Sequence, residues 1–320
     1  MNGLELVLTW TLIHSLWIAL AALLLSNLLS GFISKSATRR FIKISILTIF
    51  TSSVAYVFIT QLDLLINYES AKIIGLRFID ANAATPNWLD EIKLWISSNS
   101  LVISSLWFMG IVIGTVKFIA NRQRLNKYKS SALPCAKEQV INRVTGLAED
   151  LGVRRKVQVV ISAILNSPMA IGVLKPTIYL PAGLISGFST EELDTILIHE
   201  LSHIKRHDYF INLFLVFIET VFFFNPIVLH LVKDIRKEME YVCDDEVLEW
   251  HNQIAYAKVL VKLQEINLSN QVALAAKNKQ SQFKQRIERM INQNNKKVSP
   301  KLGVVVVLFI SLLVSSAFAV

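Results

Sequence analysis

His199-Glu200-Leu201-Ser202-His203 decides how this chain is read. The pattern is H-E-x-x-H, and its setting predicts a helix. In a helix, residues at i and i+4 lie one turn apart on the same face. Both imidazoles then reach one zinc ion, and Glu200 between them is placed to take a proton from water. The flanks agree with a helix. Ser189 and Glu192 have the spacing of a capping box, and Thr195, Ile196 and Ile198 carry the helix into the motif.

Catalytic zinc keeps three protein ligands. No Gly follows at the spacing of the long metzincin motif. His207, one further turn along, would be strained as a ligand, because three successive turns of a straight helix do not converge on one ion; it reads better as a supporting or surface histidine. The stretch Glu238-Met239-Glu240-Tyr241-Val242-Cys243-Asp244-Asp245 offers more. Glu240 and Asp244 are also at i and i+4. A second helix here presents Glu240 to zinc and leaves Asp244 to accept the free N–H of a ligand histidine. Cys243 is the rival ligand on the same stretch.

The pair His199-Glu200-x-x-His203 and Glu240-x-x-Cys243-Asp244 resembles the M56 peptidases, the integral-membrane gluzincins typified by the BlaR/MecR signal transducers. The run Ile198 to Asp208 is similar to that family's core motif, as are Asn225-Pro226 and Glu240 to Leu248. The resemblance implies a zinc (Zn2+) protease among transmembrane helices, facing the cytoplasm. It also implies a protein substrate such as a cytoplasmic transcriptional repressor, and self-cleavage near Gln280 to Gln285, which includes Phe283. Sensors of the family carry a large extracellular ligand-binding domain at the C-terminus, and this sequence stops at Val320.

Composition points to a membrane independently. Of 320 residues, 53% are hydrophobic, and the mean hydropathy is +0.47, too apolar for an ordinary soluble domain. The net charge of +9 reads as cytoplasmic anchors beside membrane spans rather than a nucleic-acid surface. Two distant cysteines, Cys135 and Cys243, imply no disulfide framework.

Residues 4–29 are almost wholly apolar, and about 20 such residues cross a bilayer. No basic stretch precedes them, so a cleaved signal peptide is not expected. Lys35, Arg39, Arg40 and Lys43 follow and place that turn in the cytoplasm. A second span covers roughly 42–62. Residues 63–98 are net acidic and read as an extracytoplasmic loop, with Trp88 and Trp95 as interfacial or loop-core side chains. A third span over about 99–119 ends at Arg122, Arg124, Lys127 and Lys129, again cytoplasmic. Residues 301–320 form the last span, which puts both termini outside.

The region 121–300 is then the cytoplasmic protease domain of a multi-pass protein in the inner membrane. Residues 136–151 read as an amphipathic helix with Val140, Ile141, Val144 and Leu147 on one face. Lys156 to Ala163, Ala170 to Val173 and Thr177 to Leu180 read as strands. A sheet edge before an H-E-x-x-H helix suits an extended peptide backbone, which makes Met169, Ala170, Ile171 and Gly172 candidate substrate contacts; a plain hairpin is the alternative. Residues 209–231 are apolar enough to span, yet His199, His203 and Glu240 must meet on one side. Pro226 breaks helices. The expectation is therefore a helix dipping into the membrane or buried, a break at Asn225-Pro226, and a helix back toward Glu240. Glu219 within that run is expected to be paired within the bundle, the alternative being a place along a water path. Tyr256, Val259, Leu260, Leu263 and Ile266 form a core stripe, Ser269 to Asn278 a loop, and the basic run Lys284 to Lys297 a membrane-proximal anchor.

The fold expected is thus a mainly α membrane protein of about four transmembrane helices, carrying a cytoplasmic α+β gluzincin-like zinc protease domain. Two further classes fit the same residues. One is a quality-control membrane metalloprotease, and the other a non-catalytic signalling scaffold with a structural zinc. A transporter is disfavoured by the absence of repeats or paired broken helices.

Overall fold

A computed structural model describes residues 3–73, 88–135, 137–268 and 283–291. It is mostly helical, with one small mixed sheet. Among the described residues, three helices are long and apolar enough to cross a bilayer: α1 (Gly3–Phe32), α2 (Ser36–Ile73) and α4 (Ser100–Ser130). The expected spans 4–29 and 42–62 fall within α1 and α2, and 99–119 coincides with α4 from Ser100 onward. The fourth expected span, 301–320, and the loop Ser269 to Asn278 lie outside the described residues. Of the stretch 63–98 read as a loop, residues 63–73 continue α2 and residues 88–98 form the short helix α3 (Trp88–Ser98).

A three-residue turn joins α1 to α2, and the two pack closely because α1 buries a stripe of small side chains: Thr11, Ser15, Ala19, Ala22 and Ser26. Such residues let helix backbones approach where no water is squeezed out. Opposite them α2 buries Ile46, Leu47, Phe50 and Val54. By contrast α4 leaves Leu106, Phe108, Met109 and Val116 exposed, the surface a lipid-facing helix needs.

After the H-E-x-x-H helix, α7 (Thr190–Lys205), the chain makes α8 (Asp208–Val221), breaks, and returns as α9 (Pro226–Leu248). Asn225 caps α9 by accepting from the N–H groups of Ile227 and Val228, and Pro226 opens it. The apex of this hairpin lies among the middles of the three long helices. Asn225 Nδ2 donates to Ser15 O at 3.3 Å, Trp107 Nε1 donates to Val221 O at 3.0 Å, and the Phe222 ring stacks edge-on to Phe50. The broken backbone is thereby satisfied by protein, the condition for irregular chain at membrane depth. On α4, Gly110 and Gly114 make room for it: a Cβ at 110 would lie 2.0 Å from the Phe223 ring. Glu219 of α8 forms an ion pair with Arg236 of α9, at 2.5 and 2.8 Å.

The rest forms a second core. The sheet runs β1 (Leu133–Pro134), β2 (Gln158–Ser162), β4 (Thr177–Pro181), β3 (Met169–Ile171), with β2 and β4 parallel and β3 antiparallel at the edge. Short β1 was not foreseen. The helices α5 (Glu138–Asp150), α6 (Ala182–Gly187), α7 and α10 (Gln253–Leu268), with residues 283–291 as α11, pack around it. In α5, Val140, Val144 and Leu147 are buried, but Ile141 is exposed because only the i, i+4, i+7 row meets the core. The stripe on α10 buries Tyr256, Val259 and Leu260.

Candidate metal centre

The capping box foreseen at Ser189 and Glu192 is formed, with both hydrogen bonds present, and sets where α7 begins. Leu197 and Leu201 are wholly buried, each contributing about 1.5–3 kcal/mol of apolar burial. They fix the rotation of α7, so that His199, Glu200 and His203 all line one cleft of about 600 Å³. Across the cleft, α9 presents Glu240. His199 Nε2 lies 3.6 Å from one Glu240 oxygen and His203 Nε2 lies 3.7 Å from the other. Ligand atoms of the three residues lie within 4.8 Å of one another. Two imidazole nitrogens and a carboxylate are the donor set of a three-ligand zinc site.

Each histidine is held at its other nitrogen, which turns Nε2 toward the cleft. His203 Nδ1 donates to Asp208 Oδ2 at 2.8 Å. His199 Nδ1 donates to the Tyr256 hydroxyl at 3.1 Å, which donates in turn to Asp244 Oδ1 at 2.6 Å. Asp244 Oδ1 is itself 3.5 Å from His199 Nδ1; the hydrogen-bonded path between them runs through Tyr256. Asp244 is fully buried and accepts from Arg286 at 2.9 and 2.5 Å, and Arg286 also reaches Glu240 at 3.1 Å.

Neither rival ligand belongs to this set. Cys243 Sγ sits 3.4 Å from Nδ1 of His203, on the far edge of the ring from Glu240. His207 has left-handed backbone, with φ of 57°, and Nδ1 contacts Arg155. Its turn drops Asp208 beneath His203. Neither His207 nor Tyr241 is among the residues lining the large cleft. Met169 and Ala170 line it, beside Ser167 and Pro168; Ile171 is buried, and Gly172, with φ of 109°, turns the chain past the strand.

Burial pushes the Glu200 carboxyl above the ordinary carboxylate range, against the pull of His203 and His199. Burial acts on Glu240 in the same sense, but Arg286, and after it the two neighbouring imidazoles, hold it well below that range. Burial, reinforced by Asp244, pushes the Tyr256 hydroxyl well up, which keeps it a neutral donor.

Tyr256, Asp208 and Arg286 were not singled out for the site from the sequence. Arg286 and Arg289 fall in the run read as a membrane-proximal anchor. In the structure they turn inward, Arg289 meeting Asp245 at 2.6 Å and Arg286 meeting Asp244. The acids at 244 and 245 are the signal that pairs with them. Of the expected self-cleavage region, 280–282 lie outside the described residues, and Phe283 lines the cleft.

The sequence profile described as BlaR1 peptidase M56 matches residues 13–291. The regulatory protein BlaR1 of Bacillus licheniformis is 30% identical over 217 residues, 65% of this chain and 36% of that protein. The methicillin resistance mecR1 protein of Staphylococcus aureus is 28% identical over 171 residues, 52% of this chain and 29% of that protein. The chain thus spans about a third of the length of these curated relatives. The crystal structure of S. mikatae Ste24p aligns over 78% of this chain and 75% of that one at 14% identity, with a TM-score of 0.33, too loose to carry an argument. With the profile running from within α1 to α11, the chain belongs to the M56 peptidase family and is a membrane protein of the BlaR/MecR type.

Proposed function

We propose that this chain is an integral-membrane zinc endopeptidase of the BlaR/MecR type. It hydrolyses a peptide bond in a cytoplasmic regulator, such as a transcriptional repressor, in signal transduction. The observation that carries this reading is the convergence of His199 Nε2, His203 Nε2 and the Glu240 carboxylate at the wall of an open cleft, with Glu200 beside them.

His199, His203 and Glu240 hold the zinc. When bound, the ion supplies Lewis acidity, polarising a carbonyl and acidifying water. Glu200, raised in pKa by burial, accepts a proton from the attacking water and delivers it to the leaving amine. Tyr256 and Asp208 keep the imidazoles in the Nδ1–H tautomer. Among the described residues β3 pairs only with β4, so its outer edge, at Met169 and Ala170, is free to hydrogen-bond an extended substrate.

The cytoplasmic orientation rests on charge. Arg39, Arg40 and Lys43 at the head of α2 contact Glu238 and Asp208 of the catalytic region. Arg122, near the end of α4, donates to the Tyr209 hydroxyl at 2.6 Å. Both basic clusters and the metal centre therefore share one side, and basic clusters mark the cytoplasmic side.

The test is a pair of variants of the full chain in detergent. Glu200→Ala retains zinc and loses about 10²- to 10⁴-fold in cleavage of a co-expressed repressor; Glu240→Ala loses the metal. Unchanged cleavage by Glu200→Ala would remove the base assignment. Full metal occupancy in Glu240→Ala would remove the ligand assignment.

A further inference from the structure

Asp208 does more than hold His203. Its second oxygen, Oδ1, accepts from the guanidinium of Arg40 at 2.6 Å. That same Arg40 nitrogen donates to the carbonyl of Arg206 at 3.1 Å. Arg40 lies far away in sequence, in the first turns of α2, one of the three candidate membrane helices. Its side chain is 11% exposed and that of Asp208 is 4% exposed. A continuous path of two short contacts therefore joins a membrane helix to a metal ligand: Arg40 to Asp208 Oδ1, and Asp208 Oδ2 to His203 Nδ1.

The pair is built for orientation. A lone carboxylate rotates readily; one fixed by a guanidinium on one oxygen presents the other as an acceptor in one place. Cys243 Sγ lies beside the same contact, 3.9 Å from Asp208 Oδ2 and 3.4 Å from His203 Nδ1. The left-handed His207 supplies the turn that brings Asp208 back under the helix it follows.

We infer that Arg40 is a positioning residue for the metal ligand His203, acting through Asp208, so that the geometry of the metal centre depends on where the head of α2 sits. Sliding or rotating α2 carries Arg40 with it, releases Asp208, and frees the His203 ring. The inference rests on the metal reading of His199, His203 and Glu240.

The experiment is titration of the full chain in detergent with Co2+, followed by the visible absorption of the bound ion. Asp208→Asn weakens Co2+ about 10- to 100-fold, the range for loss of a ligand's hydrogen-bond partner. Arg40→Gln weakens it about tenfold and alters the Co2+ band shape, and Arg40→Lys recovers most of the affinity. In an Asp208→Asn background Arg40→Gln adds no further loss, since both act on one contact. Arg143→Gln, which breaks another carboxylate pair on α7 at Asp194, leaves Co2+ affinity unchanged. Arg40→Gln with wild-type affinity and spectrum would overturn the inference, and so would an undiminished extra loss in the Asp208→Asn background. Should Arg40→Gln not fold, Arg40→Met, which keeps the stem and removes the donor, is read in the same way: a loss of about tenfold in Co2+ affinity supports the inference, and wild-type affinity with a wild-type spectrum overturns it. Wild-type chain that takes up no Co2+ would overturn the metal reading itself, and this inference with it.

Discussion

Between Val228 and Ile235, α9 buries aliphatic side chains alone; between Glu238 and Glu246 it buries three carboxylates. The first half sits among α1, α2 and α8, where Val228, Val232 and Ile235 are wholly enclosed. The second half meets a cation at each acid: Arg39 and Lys43 at Glu238, Arg286 at Asp244, Lys205 and Arg206 at Glu246. One helix thus changes from packing by shape to packing by charge within about two turns. The difference teaches where the molecule tolerates change. A hydrophobic core accepts volume-conserving swaps, whereas removing one member of a buried ion pair strands the other.

Substitutions centred on Asp244, Leu231, Glu246 and Asn225 would break or sharpen that contrast, each read by thermal unfolding in detergent. The largest effect belongs to Asp244→Ala, which leaves Arg286 buried without its main partner and costs about 3–5 kcal/mol. Adding Arg286→Met recovers most of that loss; no recovery would mean that Asp244 stabilises through Tyr256 and His199 instead. Next, Leu231→Ala in the apolar half costs about 2–5 kcal/mol, while Leu231→Met costs under about 1.5 kcal/mol. Equal losses for the two would show that this half is not packed by volume.

Glu246→Gln costs about 1–3 kcal/mol near neutral pH, as expected for hydrogen bonds to a charged group. Burial tends to raise the Glu246 carboxyl, but Lys205 and Arg206 outweigh it and hold the folded value below the ordinary one. Its stabilisation is therefore complete above the unfolded pKa and fades as pH falls through the depressed folded value. Wild type and Glu246→Gln converge in stability in acid, and a gap that persists there would refute the charge origin. The smallest effect is Asn225→Ala, which removes the cap of α9 at the apolar end and costs about 0.5–2 kcal/mol.

Legibility in the sequence follows the same division. The H-E-x-x-H helix was readable because His199, Glu200 and His203 lie about one turn apart, where spacing fixes geometry. The long apolar runs were readable for an equally local reason, and so was the break at Asn225-Pro226. The stripe Tyr256, Val259, Leu260 was legible as core, but not the second use of Tyr256, whose hydroxyl reaches back 57 residues to His199. Arg286 looked like one more basic residue in a basic run, because nothing local distinguishes a guanidinium that faces lipid headgroups from one buried against Asp244. Arg40 looked like an orientation signal for the membrane, and it also touches Asp208.

By itself the sequence determined most of the elements: which long stretches are helical, which are apolar enough for a bilayer, and that His199 and His203 share a face. Those properties come from periodicity and composition, which act over a few residues. Only the tertiary structure decided which distant groups close around that face, because a contact such as Arg40 with Asp208 or Arg286 with Asp244 has no period and no spacing rule. Such contacts exist only once the α8–α9 hairpin has folded back among α1, α2 and α4 and carried Glu240 to the paired imidazoles.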